Sequence, residues 1–478
     1  MSVLVFEGFL STPEMLSLLE PASVVQTMMD FEAALARAQG RCGVIPLPAA
    51  QAIASLCRVE LYDVPALIQS SVPAGSLALP VVQKLAETVG LFDPVAAGYV
   101  HWGSTSQDMV DSAMALLLRR ALGLIEDDLL QLLGHLLDLA EAHPAVPVLA
   151  RTLMQPAQVS SLRYRVLNWV QPLLRSAQAL RDTADAALQL QFGGAVGTLG
   201  MLGDQAEAVS AALAAELKLP QAAMPWHTQR DRMVRLGAEL GILCGALGKL
   251  ARDLAWLCQP EIAEMAERQP EPGSPATANA SEPGRGFKRS ASSVMPHKNN
   301  PVALLRALAA AERAPQRVAG LLASMPQELE RGLGGWHAEL AEMSGLLLHA
   351  HGATRALAEG VQGLRVFPAR MREQIEGQQE LVFAEALTLL LIPLLGREPA
   401  HRLVEQLCHQ VTPGGAGLLA LAQARCSEDV RLRGRLDAAA LTARFDIDAA
   451  AAQADRRLDA VLQSALRHWA ALSDHPHW

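Results

Sequence analysis

Two adjacent hydroxyls, Ser292 and Ser293, precede Met295-Pro296-His297-Lys298, and two amides, Asn299 and Asn300, follow before Pro301. An oxygen nucleophile or base, a cation and amide donors in one short run can bind an anion and act on it. From Val302 the pattern turns strongly helical, so the N–H groups of a helix start can add to the same anion site. Upstream, Gln269 to Arg289 is rich in Pro, Gly, Ser, Ala and basic residues. Such a run buries little apolar surface and is expected to be a mobile loop able to close over a ligand.

Other polar stretches stand out. In Tyr99-Val100-His101-Trp102-Gly103-Ser104-Thr105-Ser106-Gln107-Asp108, an imidazole and three hydroxyls stand just before a long helical pattern. Hydroxyls and an aspartate at a helix start act as caps, and with the histidine they can also hold ligand oxygens. Thr152-Leu153-Met154-Gln155 and Pro225-Trp226-His227-Thr228-Gln229-Arg230-Asp231 are further polar interruptions. The glycine-rich run Gln191 to Gly203 has no Walker lysine and no convincing strand before it. It reads as a turn where helices approach, not a nucleotide loop.

The elements that must position these residues are helical. Apolar residues make up 51% of the 478, but aromatics only 4%, and a chain this rich in Ala and Leu favours helix over sheet. Thr12-Pro13 reads as a capped helix start, and Met28, Phe31, Ala34, Leu35 and Ala38 recur at helical spacing. Asp108 to His143 reads as one long helix with a stripe of Leu117, Leu118, Leu122, Ile125, Leu129, Leu133, Leu136 and Leu137. Helix is also expected up to Leu190 after the Thr152 block, from Asp231, from Asn300 to about Met325, and from Trp336 to about Gly360. Gly237, Gly241, Gly245 and Gly248 fall near one face of the Asp231 helix, which suggests close helix approach, since each glycine costs a helix roughly 1 kcal/mol. Strand signals are nearly absent. The expected fold class is all-α, with a helical domain over 1–108, a central long-helix bundle over 109–360 carrying a catalytic loop at about 269–301, and a smaller helical domain over 361–478. The tail from Asp474 to Trp478 is expected to fray.

Several function classes are disfavoured. A net charge of -9 argues against a general nucleic-acid binder. The six cysteines form no CxxC pair, so neither a disulfide framework nor a zinc site is expected, and a reducing cytoplasm fits. The start lacks a signal-peptide pattern, and the most apolar run, Leu387 to Leu395, is too short to span a bilayer. No membrane partner is expected.

Three distant polar stretches interrupting a long-helix bundle resemble the fumarase/aspartase superfamily. Its signature loop, G-S-S-x-x-M-P-x-K-x-N, is matched by Ser292-Ser293-Val294-Met295-Pro296-His297-Lys298-Asn299-Asn300, with Ala291 in place of the usual glycine. Gly103 to Asp108 matches a second region. Within the superfamily the chain is most similar to the bacterial 3-carboxy-cis,cis-muconate cycloisomerases. Asp30 to Ala38, Tyr99 to Gly103, Leu190 to Ala195, Pro225 to Asp231, Met325 to Glu328 and Glu330 to Glu339 carry that likeness.

The resemblance implies a homotetramer whose active sites gather segments from three chains, a small polycarboxylate substrate, and no metal or organic cofactor. It makes Ser292 the catalytic base. Ser293, Met295, Lys298 and Asn300 would hold a substrate carboxylate with the loop backbone. Ser104, Thr105 and Ser106 would take other oxygens, and His101, Thr152, Gln155, Gln229 and Arg331 would complete the lining. Many eliminases of the superfamily place a histidine after the threonine equivalent to Thr152, to protonate the leaving group. Here that position is Leu153, which cannot transfer a proton; the cycloisomerases usually carry tryptophan. A carboxylate leaves without help, because its conjugate acid has a pKa of about 4. The residue pattern therefore fits lactone chemistry. Three departures bear on substrate: Leu153 itself, Asn299 where arginine is usual, and a lengthened Gln269–Arg289 loop without Gly-Gly before Ser292. The same leaving-group logic admits a lyase acting on a substituted succinate, such as a nitrosuccinate lyase. A catalytically silent member, like the lens crystallins of this superfamily, is the remaining alternative.

Overall fold

The computed structural model describes residues 5–267, 295, 298–475 and 477–478. The Gln269–Arg289 segment and the Ser292-Ser293 pair lie outside the described residues. The chain begins with α1 (Val5–Phe9), α2 (Pro13–Leu18), α3 (Pro21–Arg41), α4 (Leu47–Leu56), α5 (Val64–Ala74), α6 (Ala78–Gly90) and α7 (Pro94–Ala97). As expected, Thr12 caps α2, its hydroxyl accepting the N–H of Met15.

The centre is α8 (Ser106–Ala142), the strands β1 (Pro147–Thr152) and β2 (Gln155–Ser161), α9 (Leu162–Ala187), α10 (Ala206–Leu217), α11 (Asp231–Cys258), the short strand β3 (Met265–Ala266), α12 (Val302–Ser324) and α13 (Gly335–Val361). The leucine stripe of α8 is the bundle's spine, each of its eight residues no more than 1% exposed. At 1.5 Å per residue, the 37 residues of α8 run for about 55 Å. Helices α9, α11, α12 and α13 pack along it and along one another. Chain direction alternates through α8, α9, α11, α12 and α13, so the bundle has two ends. One holds the starts of α8, α11 and α13 with the finish of α12. The opposite end holds the finish of α8 and α11 with the start of α12.

The glycine row of α11 serves close packing at three positions. A Cβ on Gly237 would lie 2.3 Å from Leu321 Cδ1, one on Gly241 2.5 Å from Val318 Cγ2, and one on Gly248 3.2 Å from Ala311 Cβ. Gly245 faces open space among the described residues.

The remainder comprises β4 (Arg365–Val366), α14 (Pro368–Glu376), α15 (Ala384–Leu395), α16 (Arg397–Gln410), α17 (Leu418–Glu428), α18 (Ala438–Thr442), α19 (Ile447–Asp455) and α20 (Leu458–Asp474). Ile375, Phe383, Leu387, Leu391, Leu407 and Phe445 form a second, smaller core there. Helix α20 returns to the main core through Leu458, Leu462, Ala465 and Leu472. No single described helix is long and apolar enough to cross a membrane.

The all-α class holds, with two local corrections. The Thr152 block is a β-hairpin, β1 pairing antiparallel with β2 and Thr152 facing Gln155. Its turn residues Leu153 and Met154 have φ of 51° and 65°, where Asn or Gly is usual, so the sequence carries no hairpin signal. The expected fraying of the tail is also corrected, at its two last described residues. His477 Nε2 lies 2.7 Å from Asp185 Oδ1, and Trp478 seats on Gly123 of α8, where a Cβ would be 3.3 Å from the tryptophan Cβ.

Candidate active site

One buried carboxylate organises the first end of the bundle. Asp108, in the first turn of α8, accepts the N–H of Thr105 at 3.2 Å and those of Gly193 and Gly194 at 2.9 Å each. His227 Nε2 lies 2.7 Å from its Oδ1. Four donors and the positive end of α8 compensate the buried charge. The glycine-rich run is thus a loop clamped onto α8, in line with the turn reading. Both glycines are required: a Cβ on Gly193 would lie 2.6 Å from Pro225 Cβ, and Gly194 has φ +65° with Gly103 O 2.9 Å from its would-be Cβ.

One turn further along α8, Asp111 grips Arg230 through both guanidinium nitrogens, at 2.8 and 3.1 Å. Glu339 of α13 takes the other side of Arg230, 3.0 Å from Nε. Trp336 Nε1 donates to Asp111 at 2.9 Å, and Gln107 and Gln191 also reach it. Burial works against a charge on Arg230, but Asp111 and Glu339 outweigh it and raise its pKa. This network sets the starts of α8, α11 and α13 relative to one another.

On this frame lie six of the expected site residues. His101, Ser104, Thr105 and Ser106 are half-buried at the mouth of α8. Gln229 is exposed, its side-chain amide donating to Pro225 O at 3.4 Å. Arg331 donates to the carbonyls of Gly194 and Ala195 at 3.0 and 3.2 Å, so it lies against the same loop.

The remaining described residues sit at the opposite end. Met295, Lys298 and Asn300 precede α12. Lys298 and Asn300 line a cavity of about 590 Å³ with Cys258, Gln259, Glu267 and Arg365. Thr152 and Gln155 flank the tip of the β1–β2 hairpin, both exposed, with Leu153 between them 97% exposed. Buried Glu264 holds β1 close to its turn through Arg151 at 2.8 Å and also binds Arg165 of α9 at 3.0 Å. Within one chain, then, the two groups are held apart by the length of α12, about 34 Å for its 23 residues. Ser292 and Ser293 lie outside the described residues.

Sequence reasoning passed over Glu32, Asp111, His227, Arg230, Trp336 and Glu339. A signal was present for Asp111: with Gln107 it makes a polar i, i+4 pair on the otherwise apolar face of α8.

A family model described as "Lyase" matches residues 11–314. The chain belongs to that lyase family. The crystal structure of the 3-carboxy-cis,cis-muconate lactonizing enzyme from Pseudomonas putida superposes with a TM-score of 0.85 at 36% identity, covering 97% of this chain and 99% of that one. The 3-carboxy-cis,cis-muconate cycloisomerase of Pseudomonas aeruginosa is 44% identical over 405 residues, 85% of each chain. The nitrosuccinate lyase of Streptomyces davaonensis is 36% identical over 405 residues, 83% of this chain and 82% of its own. This lyase-family member therefore shares its helical architecture, end to end, with a lactonizing enzyme.

Proposed function

We propose that the chain is a cycloisomerase that converts 3-carboxy-cis,cis-muconate to 4-carboxymuconolactone. The observation that carries this reading is the 44% identity to a named cycloisomerase across 85% of both chains. In the forward direction the substrate's own carboxylate oxygen forms a C–O bond to the diene. The electron pair moves toward the carboxylate-bearing carbon as an enolate-like anion, and Ser292 delivers a proton to that carbon, to be reprotonated from solvent. Lys298, Asn300 and the helix start behind them would stabilise the anion. Rearranging bonds within one molecule requires no redox step, so no redox cofactor is needed.

The hairpin supports this chemistry. Leu153 is at the exposed tip, where superfamily eliminases carry a proton-donating histidine. The ring-opening direction expels a carboxylate, which is stable without that proton.

The two halves of the site lie at opposite ends of one bundle, so we propose a homotetramer in which neighbouring chains bring the ends together. We place it in the cytoplasm, where six scattered cysteines without CxxC spacing fit best.

The 36% identity to a nitrosuccinate lyase favours a second reading, elimination of nitrite from a substituted succinate. The test is direct: incubate the protein with 3-carboxymuconate and with nitrosuccinate, following loss of diene absorbance and release of nitrite. Diene loss without nitrite release is the expected result. Turnover of neither, with Ser292→Ala indistinguishable from wild type, would leave a silent protein.

A further inference from the structure

Besides Thr27, helix α3 carries two polar side chains deep in the core, Glu32 and Gln39, each 1% exposed. They are two helical turns apart and so share a face. Both grip the same loop. Glu32 Oε1 lies 2.6 Å from His101 Nδ1, and the Gln39 amide donates to the Trp102 carbonyl at 2.7 Å.

The arrangement is costly. The other carboxylate oxygen of Glu32, Oε2, and the amide oxygen of Gln39, Oε1, are buried and have no hydrogen-bond partner among the described residues, a condition that native cores avoid. His101 itself has a positive φ of 58°, which a residue with a Cβ resists. A loop needing only to cap α8 requires neither expense. What the two contacts do achieve is to fix one imidazole. With Nδ1 engaged by Glu32, Nε2 is the ring nitrogen left over, and it has no hydrogen-bond partner among the described residues. The His101 side chain keeps 15% of its surface exposed, beside Ser104, Thr105 and Ser106.

We propose that Glu32 is a positioning residue that presents the Nε2–H of His101 to a carboxylate of the substrate. Glu32 thereby acts on the reaction without touching the reacting atoms. The proposal rests on the reading of the substrate as a polycarboxylate.

The electrostatics agree with the geometry. Burial opposes an imidazolium here, but Glu32 from α3 and, more weakly, Asp108 from α8 outweigh it, and the His101 pKa is raised above the ordinary histidine value. Asp108 is itself shared with His227 and the glycine loop. Glu32 is therefore the group committed to His101.

Three measurements test this. In Glu32→Gln, KM for 3-carboxymuconate should rise about tenfold, as for loss of one charge-assisted hydrogen bond, while kcat moves less. The alkaline limb of kcat/KM should shift to lower pH. In a double-mutant cycle with His101→Gln, Glu32→Gln should cost little once His101 has been replaced. A merely structural Glu32 would lower the melting temperature but leave the pH profile in place and the cycle additive, and that outcome overturns the proposal. If Glu32→Gln does not fold, the titration of His101 by NMR in the wild-type protein decides. A pKa above 6.5 is expected, and one below it refutes the dyad. That readout needs no substrate, so it still stands should the assay show that 3-carboxymuconate is not turned over.

Discussion

Glu267 accepts the backbone N–H of Leu304 at 2.9 Å, joining the residue before the signature loop to the first turn of the helix after it. Pro301, the N-cap of α12, offers no side-chain cap, so Glu267 does that work from 37 residues away in sequence. Lys298 and Asn300 lie just ahead of this clasp. Glu267→Ala should lower stability by about 1 kcal/mol, as for a lost cap, and should lower kcat/KM more than Glu267→Gln does. Urea unfolding and steady-state kinetics check both.

The same carboxylate has a pH signature. Burial raises the Glu267 pKa, although the N–H groups of α12 pull it down. A raised carboxylate binds its proton more tightly in the folded state, so its contribution is complete below the ordinary carboxylate range. It is lost as pH rises through the raised value. Melting temperatures measured from acid to neutral pH should fall more steeply for wild type than for Glu267→Gln.

Asp111 faces a harsher test. Removing it leaves Arg230 buried with half its partners and takes an acceptor from Trp336. Asp111→Ala should cost about 3–5 kcal/mol, as for breaking a buried ion pair. Chemical denaturation would show it, and a loss below 1 kcal/mol would mean that water repairs the network.

At the hairpin tip, Leu153→His should leave the lactonisation rate nearly unchanged, because no acid is needed there. A large gain in kcat would count against that chemistry. Replacing Leu153-Met154 by Asn-Gly should raise the melting temperature, since both positions have positive φ and Asn-Gly suits such turns.

Mixing experiments probe the divided site. His101→Asn and Lys298→Ala change opposite ends of the bundle and should each be nearly inactive. Unfolded together and refolded, they should regain activity in about a quarter of the sites if each site draws its two halves from different chains of a symmetric assembly. No recovery would mean that the halves meet some other way.

The bundle was legible because its rules are local. The α8 stripe repeats at helical spacing and is buried as that spacing demands, and three of the four α11 glycines do meet a neighbouring helix. The hairpin was not legible, because Leu153 and Met154, at positive φ, lack turn chemistry. The docked tail depends on a groove at Gly123, more than 350 residues away. Of the site, the hydroxyl run before α8 was readable as a polar cap. Glu32 was not, since in sequence it sits inside an apolar helical repeat, and only the folded chain brings it to His101.

The two poles of the bundle have a consequence for how much enzyme a cell must make. If neither pole can work without a neighbour, turnover per chain depends on concentration. Diluted below the dissociation constant of its assembly, this protein would keep its helices and lose its catalysis, so that specific activity becomes a direct measure of association.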